Sequence, residues 1–371
     1  MNVLKSIEVI GRRSTWFGLA LACAALIHPA AAQPASSTPP AGMELLIAEA
    51  KKEGTLTCYC TISSDVATPW MKIFSDRYGI EINTYRANTN TIMRKYEQER
   101  GAGRATADLF AYADISTWKN ALEKGYVATY TPASAEFFKP SETIPGKFYP
   151  VYFSSYPIFW NTTKTTKEEQ DMLGRDPLSA VLDPRFANGR IGIAVPHTTV
   201  NLQGFHYYVL INNPARGWPY LEKLAAQKPK LFDSLSALQS AVVQGEIAVA
   251  FAANDGSVSA NILKGAPVEF RYPERTVSTG YGMAIASDAP HPYAARLFME
   301  WATSEEAQAK LSELLQLRAG HTKVAPPKKV AAYPWYQPPG NTDMTYSTDP
   351  AFQRDVPEIL KKWSTMFGYE Q

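Results

Sequence analysis

With 371 residues, 37 Lys and Arg against 35 Asp and Glu, the chain is long enough for about two domains and close to neutral. Its charges are scattered with no basic block, which excludes the electrostatic footprint of a nucleic-acid or anionic-membrane binder. No apolar run after residue 32 approaches the length of a membrane span.

Residues 1–32 read as a cleavable signal peptide. Lys5, Arg12 and Arg13 form a basic start, residues 16–27 an apolar core too short to cross a bilayer, and Ala30, Ala31 and Ala32 a small-residue cleavage site. Arg12-Arg13 invites a twin-arginine reading, but Thr15 stands where that signal wants a bulky apolar residue. Cleavage removes Lys5, Arg12 and Arg13 together with Glu8, which leaves the mature chain with equal numbers of the two signs. Residues 33–42, rich in Pro and small polar side chains, read as a disordered leader.

From residue 43 the pattern alternates. A helix over 43–52 ends at Gly54, and a strand over 56–60 exits into the polar loop 61–64. A helix over 66–78 follows, with apolar side chains at helical spacing and Gly79 placed for a left-handed C-terminal residue. A strand over 80–85, a polar loop over 86–91, a helix over 92–101 and a strand over 108–112 repeat the plan. Such alternation argues for a parallel sheet with helices on its faces, whose loop ends gather at one edge. Cys58 and Cys60 share one strand face and read as packed thiols, since the mature histidines are too scattered to complete a metal site with them.

The aromatic stretch 147–161, KFYPVYFSSYPIFWN, reads as extended strands leading to a second lobe. There the run 189–204, GRIGIAVPHTTVNLQG, gives a strand over 190–195 stopped by Pro196. His197, Thr198 and Thr199 then stand at a helix start over 201–210, where backbone N–H groups and the positive end of the dipole favour an anion or polar ligand. An ordinary N-cap explains the same residues. Tyr207 and Tyr208 read as core, and 218–227 as a helix. The run 235–256 gives a helix broken at Gly245, a strand over 247–252, and Asn254, Asp255, Gly256 and Ser257 at its exit. Those four make either a plain turn or a donor and acceptor cluster facing the 189–204 stretch across a cleft. Residues 268–285 return as strand, 293–303 and 305–315 as helices able to cover the first lobe, 326–350 as loop, and 352–367 as an amphipathic helix.

The order of these features resembles the periplasmic solute-binding proteins of ABC importers, in the group holding ferric-ion-binding and hexose-phosphate-binding receptors. The matching passages are 54–64, 74–80, 107–110, 182–185, 189–192, 243–247, 298–301 and 304–308; none is specific alone, and their joint order is. The resemblance implies an α/β, two-lobed periplasmic binding protein fold of type II, each lobe a mainly parallel sheet flanked by helices. The lobes would comprise 43–155 with 277–371, and 156–276, joined by crossover hinge strands and closing on a small ligand. In one respect the sequence departs from the family. Ferric-binding members are expected to carry a Tyr-Tyr pair just after the segment matching 243–247, where this chain has Asn254, Asp255 and Gly256. One carboxylate in place of two phenolates makes a poor cage for a hard trivalent cation.

The expected site is the set of loop ends Ser63, Ser64, Asn88, Thr89, Asn90, Thr91, Asp114, His197, Thr198, Thr199, Asn254, Asp255 and Ser257, with Arg86 or Arg275 nearby. Neutral donors of this kind suit a phosphate or phosphonate ester or a carboxylate. No metal or cofactor is expected. The expected partners are a small solute and an inner-membrane permease, with no nucleic acid and the chain acting as a monomer in the periplasm. Ferric iron or an iron chelate is the alternative cargo. An exported enzyme on the same scaffold lacks support, because the sequence holds no Gly-x-Ser-x-Gly elbow, His-Glu-x-x-His helix or phosphate-cradling Gly-Lys loop.

Overall fold

The computed structural model describes residues 42–113, 115–333, 341–343 and 349–370. The signal-peptide reading and Asp114 therefore lie outside the described residues. The strands are β1 Thr55–Cys60, β2 Glu81–Arg86, β3 Leu109–Tyr112, β4 Tyr149–Ser155, β5 Ile158–Asn161, β6 Ile191–Ala194, β7 Lys230–Phe232, β8 Val249–Phe251, β9 Val268–Arg271, β10 Arg275–Ile285, β11 Arg318–Ala319 and β12 Asn341–Asp343. They form two sheets, one in the order β11-β4-β10-β3-β1-β2 with β12 beside β10, the other in the order β7-β6-β8-β5-β9.

Each sheet has a parallel half and a crossing half. The pairs β1/β2, β1/β3, β6/β7 and β6/β8 are parallel, as strand and helix alternation requires. Strand β10 lies antiparallel between β3 and β4, and β5 antiparallel between β8 and β9. These are the strands that carry the chain between sheets, from β4 to β5 and back from β9 to β10. They enter from the opposite lobe and so run against their neighbours.

The helices end where the local chemistry ends them. Ser64–Tyr78 stops at Gly79, whose φ of 70° lets its N–H close on the Ser75 carbonyl. Asn88 caps Thr89–Gly101, and Thr166 with Glu169 forms a reciprocal capping box at Lys167–Arg175. Trp70 and Phe74 of the first of these meet Phe298 and Trp301 of the Pro292–Ala302 helix in an aromatic cluster on the first sheet. Two glycines permit close packing of the crossing strands. A Cβ on Gly320 would lie 1.9 Å from the Pro150 carbonyl oxygen, and one on Gly282 1.8 Å from the Phe148 ring.

The structure departs from the sequence reading in two places. The Pro350–Phe367 helix buries Phe352 and Trp363 in the core of the second sheet, with Val330 beside them, whereas 277–371 was expected wholly with the first lobe. An amphipathic stripe reports that a helix is covered without naming what covers it. After β6, the chain makes a short 3-10 turn at Pro196–Thr198 and the helix Val200–Gly204. It then widens into π-helical turns over Phe205–Ile211, with Asn212 N–H reaching the Tyr207 carbonyl. Cys58 and Cys60 are buried free thiols on β1.

Candidate functional site

A cleft of about 490 Å³ opens between the sheets, lined by both lobes and by the strands that join them. Its first-lobe wall starts at the exit of β1, where Thr61 and Ser63 lead into the first turn of the Ser64–Tyr78 helix, which supplies Asp65 and Val66. Ala113, at the exit of β3, and Leu314, Leu315 and Leu317 complete that side. Its floor is the crossing strands: Tyr152, Ser154 and Tyr156 from β4 and its exit, Thr279 and Tyr281 from β10. Its second-lobe wall is Asn201 with Asn254, Gly256, Ser257 and Ala260, the start of the Asp255–Leu263 helix.

The floor is held by committed hydrogen bonds. The Tyr281 hydroxyl donates to the Ala111 carbonyl and accepts the Ile62 and Thr61 amides at 2.8 and 3.1 Å, which fixes the β1 exit loop over the sheet edge. Its ring stacks on Tyr152 at 4.8 Å. Burial raises the pKa of both phenols and pushes that of Tyr156 up to about 12, so all three stay protonated. The Tyr156 hydroxyl accepts Asn201 Nδ2 at 2.8 Å. Asn254 caps its helix by accepting the Ser257 N–H at 3.2 Å, and its Nδ2 donates to Ser154 Oγ at 2.7 Å. Ala252, buried at the β8 exit, holds a left-handed φ of 61°, a strain placed two residues before this cap.

Of the residues expected at the site, Ser63, Asn254 and Ser257 line the cleft. Ser64 is exposed on its helix and outside the lining. Asp255 lies beneath the wall with 3% exposure, out of reach of a solute. Asn88 is spent on capping, its side chain accepting the Thr91 N–H at 2.9 Å, and Thr89, Asn90 and Thr91 sit in that helix's first turn away from the cleft. Thr198 bonds the Val195 carbonyl and Thr199 caps Leu202. His197 faces another groove, between the β6 exit and the closing helix, beside Ser364 and Tyr369. The plain capping reading holds at Thr199, while His197 and Thr198 belong to the 3-10 turn Pro196–Thr198 that precedes the helix.

Arg86 holds the Ile62 carbonyl at 2.9 Å from behind the loop, and Arg275 packs over the Tyr208 ring. Neither is on the lining, and among the described residues Asp65 is its only charged one. The neighbouring Ser63 hydroxyl holds Asp65 below the usual carboxylate range, with Arg86 and Lys264 adding to it. Tyr207 and Tyr208 bond Asp355 and Asp349 and so anchor the closing helix. Among the described residues, no three His, Cys, Asp or Glu side chains gather as a metal site. Sequence reasoning missed Thr61, Asp65, Tyr152, Ser154, Tyr156, Asn201, Thr279 and Tyr281. The Ser154-Ser155 pair inside an aromatic run was the one visible signal, being polar where the chain passes between lobes.

Two sheets, two crossings and a cleft walled by both lobes define a two-lobed binding protein. Solved structures share this fold. The iron-bound HitA of Pseudomonas aeruginosa superposes with a TM-score of 0.62 at 18% identity, over 84% of this chain and 99% of that one. The Bordetella ferric binding protein gives 0.67 at 14% identity, over 85% and 100%. AfuA of Actinobacillus pleuropneumoniae, with fructose-6-phosphate bound, gives 0.60 at 18%, over 86% and 100%. No curated protein matches by sequence. The chain belongs to the bacterial extracellular solute-binding protein family, whose sequence profile matches residues 70–338.

Proposed function

We propose that this protein is the capture subunit of an ABC importer. Residues 1–32 direct its export, and the mature chain works as a periplasmic monomer that takes a small polar organic anion into the cleft and presents it to a membrane permease. The observation that carries this reading is the meeting of two helix starts from opposite lobes, Ser63 to Val66 and Asn254 to Ala260, on one cleft. Both present the positive end of a dipole, the first with no side-chain cap on its N–H groups and the second with the Asn254 amide beside its own cap, and hydroxyls surround them. Among the described residues no cation lines the cleft, so neutral donors and the helix dipoles would hold a single anionic head, a phosphate or phosphonate ester or a carboxylate, away from Asp65. The rest of the solute would rest against the tyrosines and Leu314, Leu315 and Leu317.

Thermal-shift measurements on the purified mature protein test this, with phosphorylated sugars, phosphonates, small carboxylates, matched neutral polyols, polyamines and ferric citrate. An anion of this class raises the melting point, by about 3 kcal/mol of stabilisation at a hundredfold excess over Kd. A response confined to polyols or polyamines would overturn it. Ferric citrate is the alternative cargo. It is placed second because Tyr281 spends its hydroxyl on the Ala111 carbonyl and two amides, and Tyr156 accepts from Asn201. A visible charge-transfer band on adding ferric citrate would reverse that order.

A further inference from the structure

Both chain segments that join the lobes bond to one buried carboxylate. Asp255, the first residue of the Asp255–Leu263 helix in the second lobe, is 3% exposed. From the first crossing it accepts the Ser154 hydroxyl and the Ser155 amide, each at 2.9 Å. From the second it accepts the Tyr272 hydroxyl, also at 2.9 Å. Ser154 in turn accepts Asn254 Nδ2 at 2.7 Å, and both Ser154 and Asn254 line the cleft. With its proton committed to Asp255 and one lone pair to Asn254, Ser154 offers the cleft an acceptor.

We propose that Asp255 is the positioning residue of solute capture: its carboxylate sets the polarity of the Ser154–Asn254 pair and ties both crossings to the second lobe, so that the separation of the lobes follows its charge. The proposal rests on the cleft being the capture site. An ionised carboxylate only accepts, and all its partners donate to it. Once protonated it must donate, and the Ser155 N–H cannot receive. The proton therefore goes to Ser154 Oγ or Tyr272 Oη, and one crossing reverses its hydrogen bond. Burial pushes the Asp255 pKa up to about 6, against the pull of its donors, which puts this reversal in mildly acid solution. The titratable groups that face it are phenols, Tyr272 from the second crossing and Tyr152 and Tyr156 from the first. None supplies a counter-charge.

Spin labels on Glu123→Cys and Glu222→Cys, exposed positions on helices of the first and second lobes, report lobe separation by electron–electron resonance without any solute. The labelled parent is expected to change its distance distribution between about pH 7.5 and pH 5, with a midpoint near the carboxyl's raised pKa. Asp255→Asn, whose amide accepts and donates like the protonated acid, is expected to show the low-pH distribution at both. Tyr272→Phe removes one donor to the carboxylate, so it keeps the response with its midpoint moved up. A parent distribution that does not change, or an Asp255→Asn protein that still responds, overturns the proposal. Should Asp255→Asn fail to fold, an unshifted midpoint in Tyr272→Phe does the same. Because no solute enters the measurement, its failure is separate from failure of the proposed cargo.

Discussion

His206 and Asp255 are both buried, and their effects on stability have opposite signs. The His206 Nδ1–H donates to the Leu202 carbonyl at 2.9 Å, its Nε2 finds no hydrogen-bond partner, and its ring packs edge-on against Trp363. Burial pushes its pKa down to about 4. Its stabilising contribution is therefore full above the unfolded value and is lost as pH falls through the folded one, about 3 kcal/mol in all. Asp255 is raised to about 6, so the folded chain holds its proton more tightly than the unfolded chain does. That contribution is full below the unfolded carboxyl pKa and is lost as pH rises through the folded one, again about 3 kcal/mol. In urea unfolding between about pH 4 and pH 6, the parent should show the two nearly cancelling. His206→Phe should then lose stability as pH rises, and Asp255→Asn as pH falls. Parallel profiles for all three proteins would refute the assignment. The sequence placed both residues but could not say that either was buried, since burial is a property of what packs around them.

At the scale of elements, caps and stops were legible because their chemistry is local. Gly79 and Asn88 do what their residue types suggest, and the parallel strand order follows from the alternation of strands and helices. The closing helix was legible as amphipathic and was assigned to the wrong lobe. Trp363, fully buried, stacks on Phe367 and meets the second lobe through His206, while Tyr207 and Tyr208 bond Asp355 and Asp349. Replacing Trp363 with Ala should cost about 3–5 kcal/mol, the loss of a large buried ring together with the cavity it leaves. A fall in the urea midpoint measures this. A loss below about 1 kcal/mol would mean that the helix is peripheral to the second lobe.

For the whole molecule, the proposed capture depends on a change in the angle between lobes. Contacts from both walls of the cleft favour a closed state only by the difference in affinity between the two states. Small-angle scattering should therefore show a smaller radius of gyration with a saturating solute identified by thermal shift than without it. An unchanged profile with bound solute would remove closure from the mechanism. The cleft seats its walls on strand exits and its floor on the crossing strands, where Tyr152 stacks on Tyr281. In the proposed mechanism, that geometry puts the solute against the chain segments that join the lobes.

The sequence by itself determined the alternation of strands and helices, the caps, the order of motifs that resembles solute-binding receptors, and Ser63, Asn254 and Ser257 as polar strand exits. Each rests on spacing or on a residue's preference for its own backbone, which neighbours in sequence decide. Tertiary structure alone decided that His197, Thr198 and Thr199 leave the cleft, that Asp255 goes beneath it, and that Tyr152, Ser154, Tyr156, Asn201 and Tyr281 enter it. The physical reason is that the cleft lies where two distant segments cross. Thr61 and Tyr281, more than two hundred positions apart, share a hydrogen bond there, and no local pattern records such a meeting.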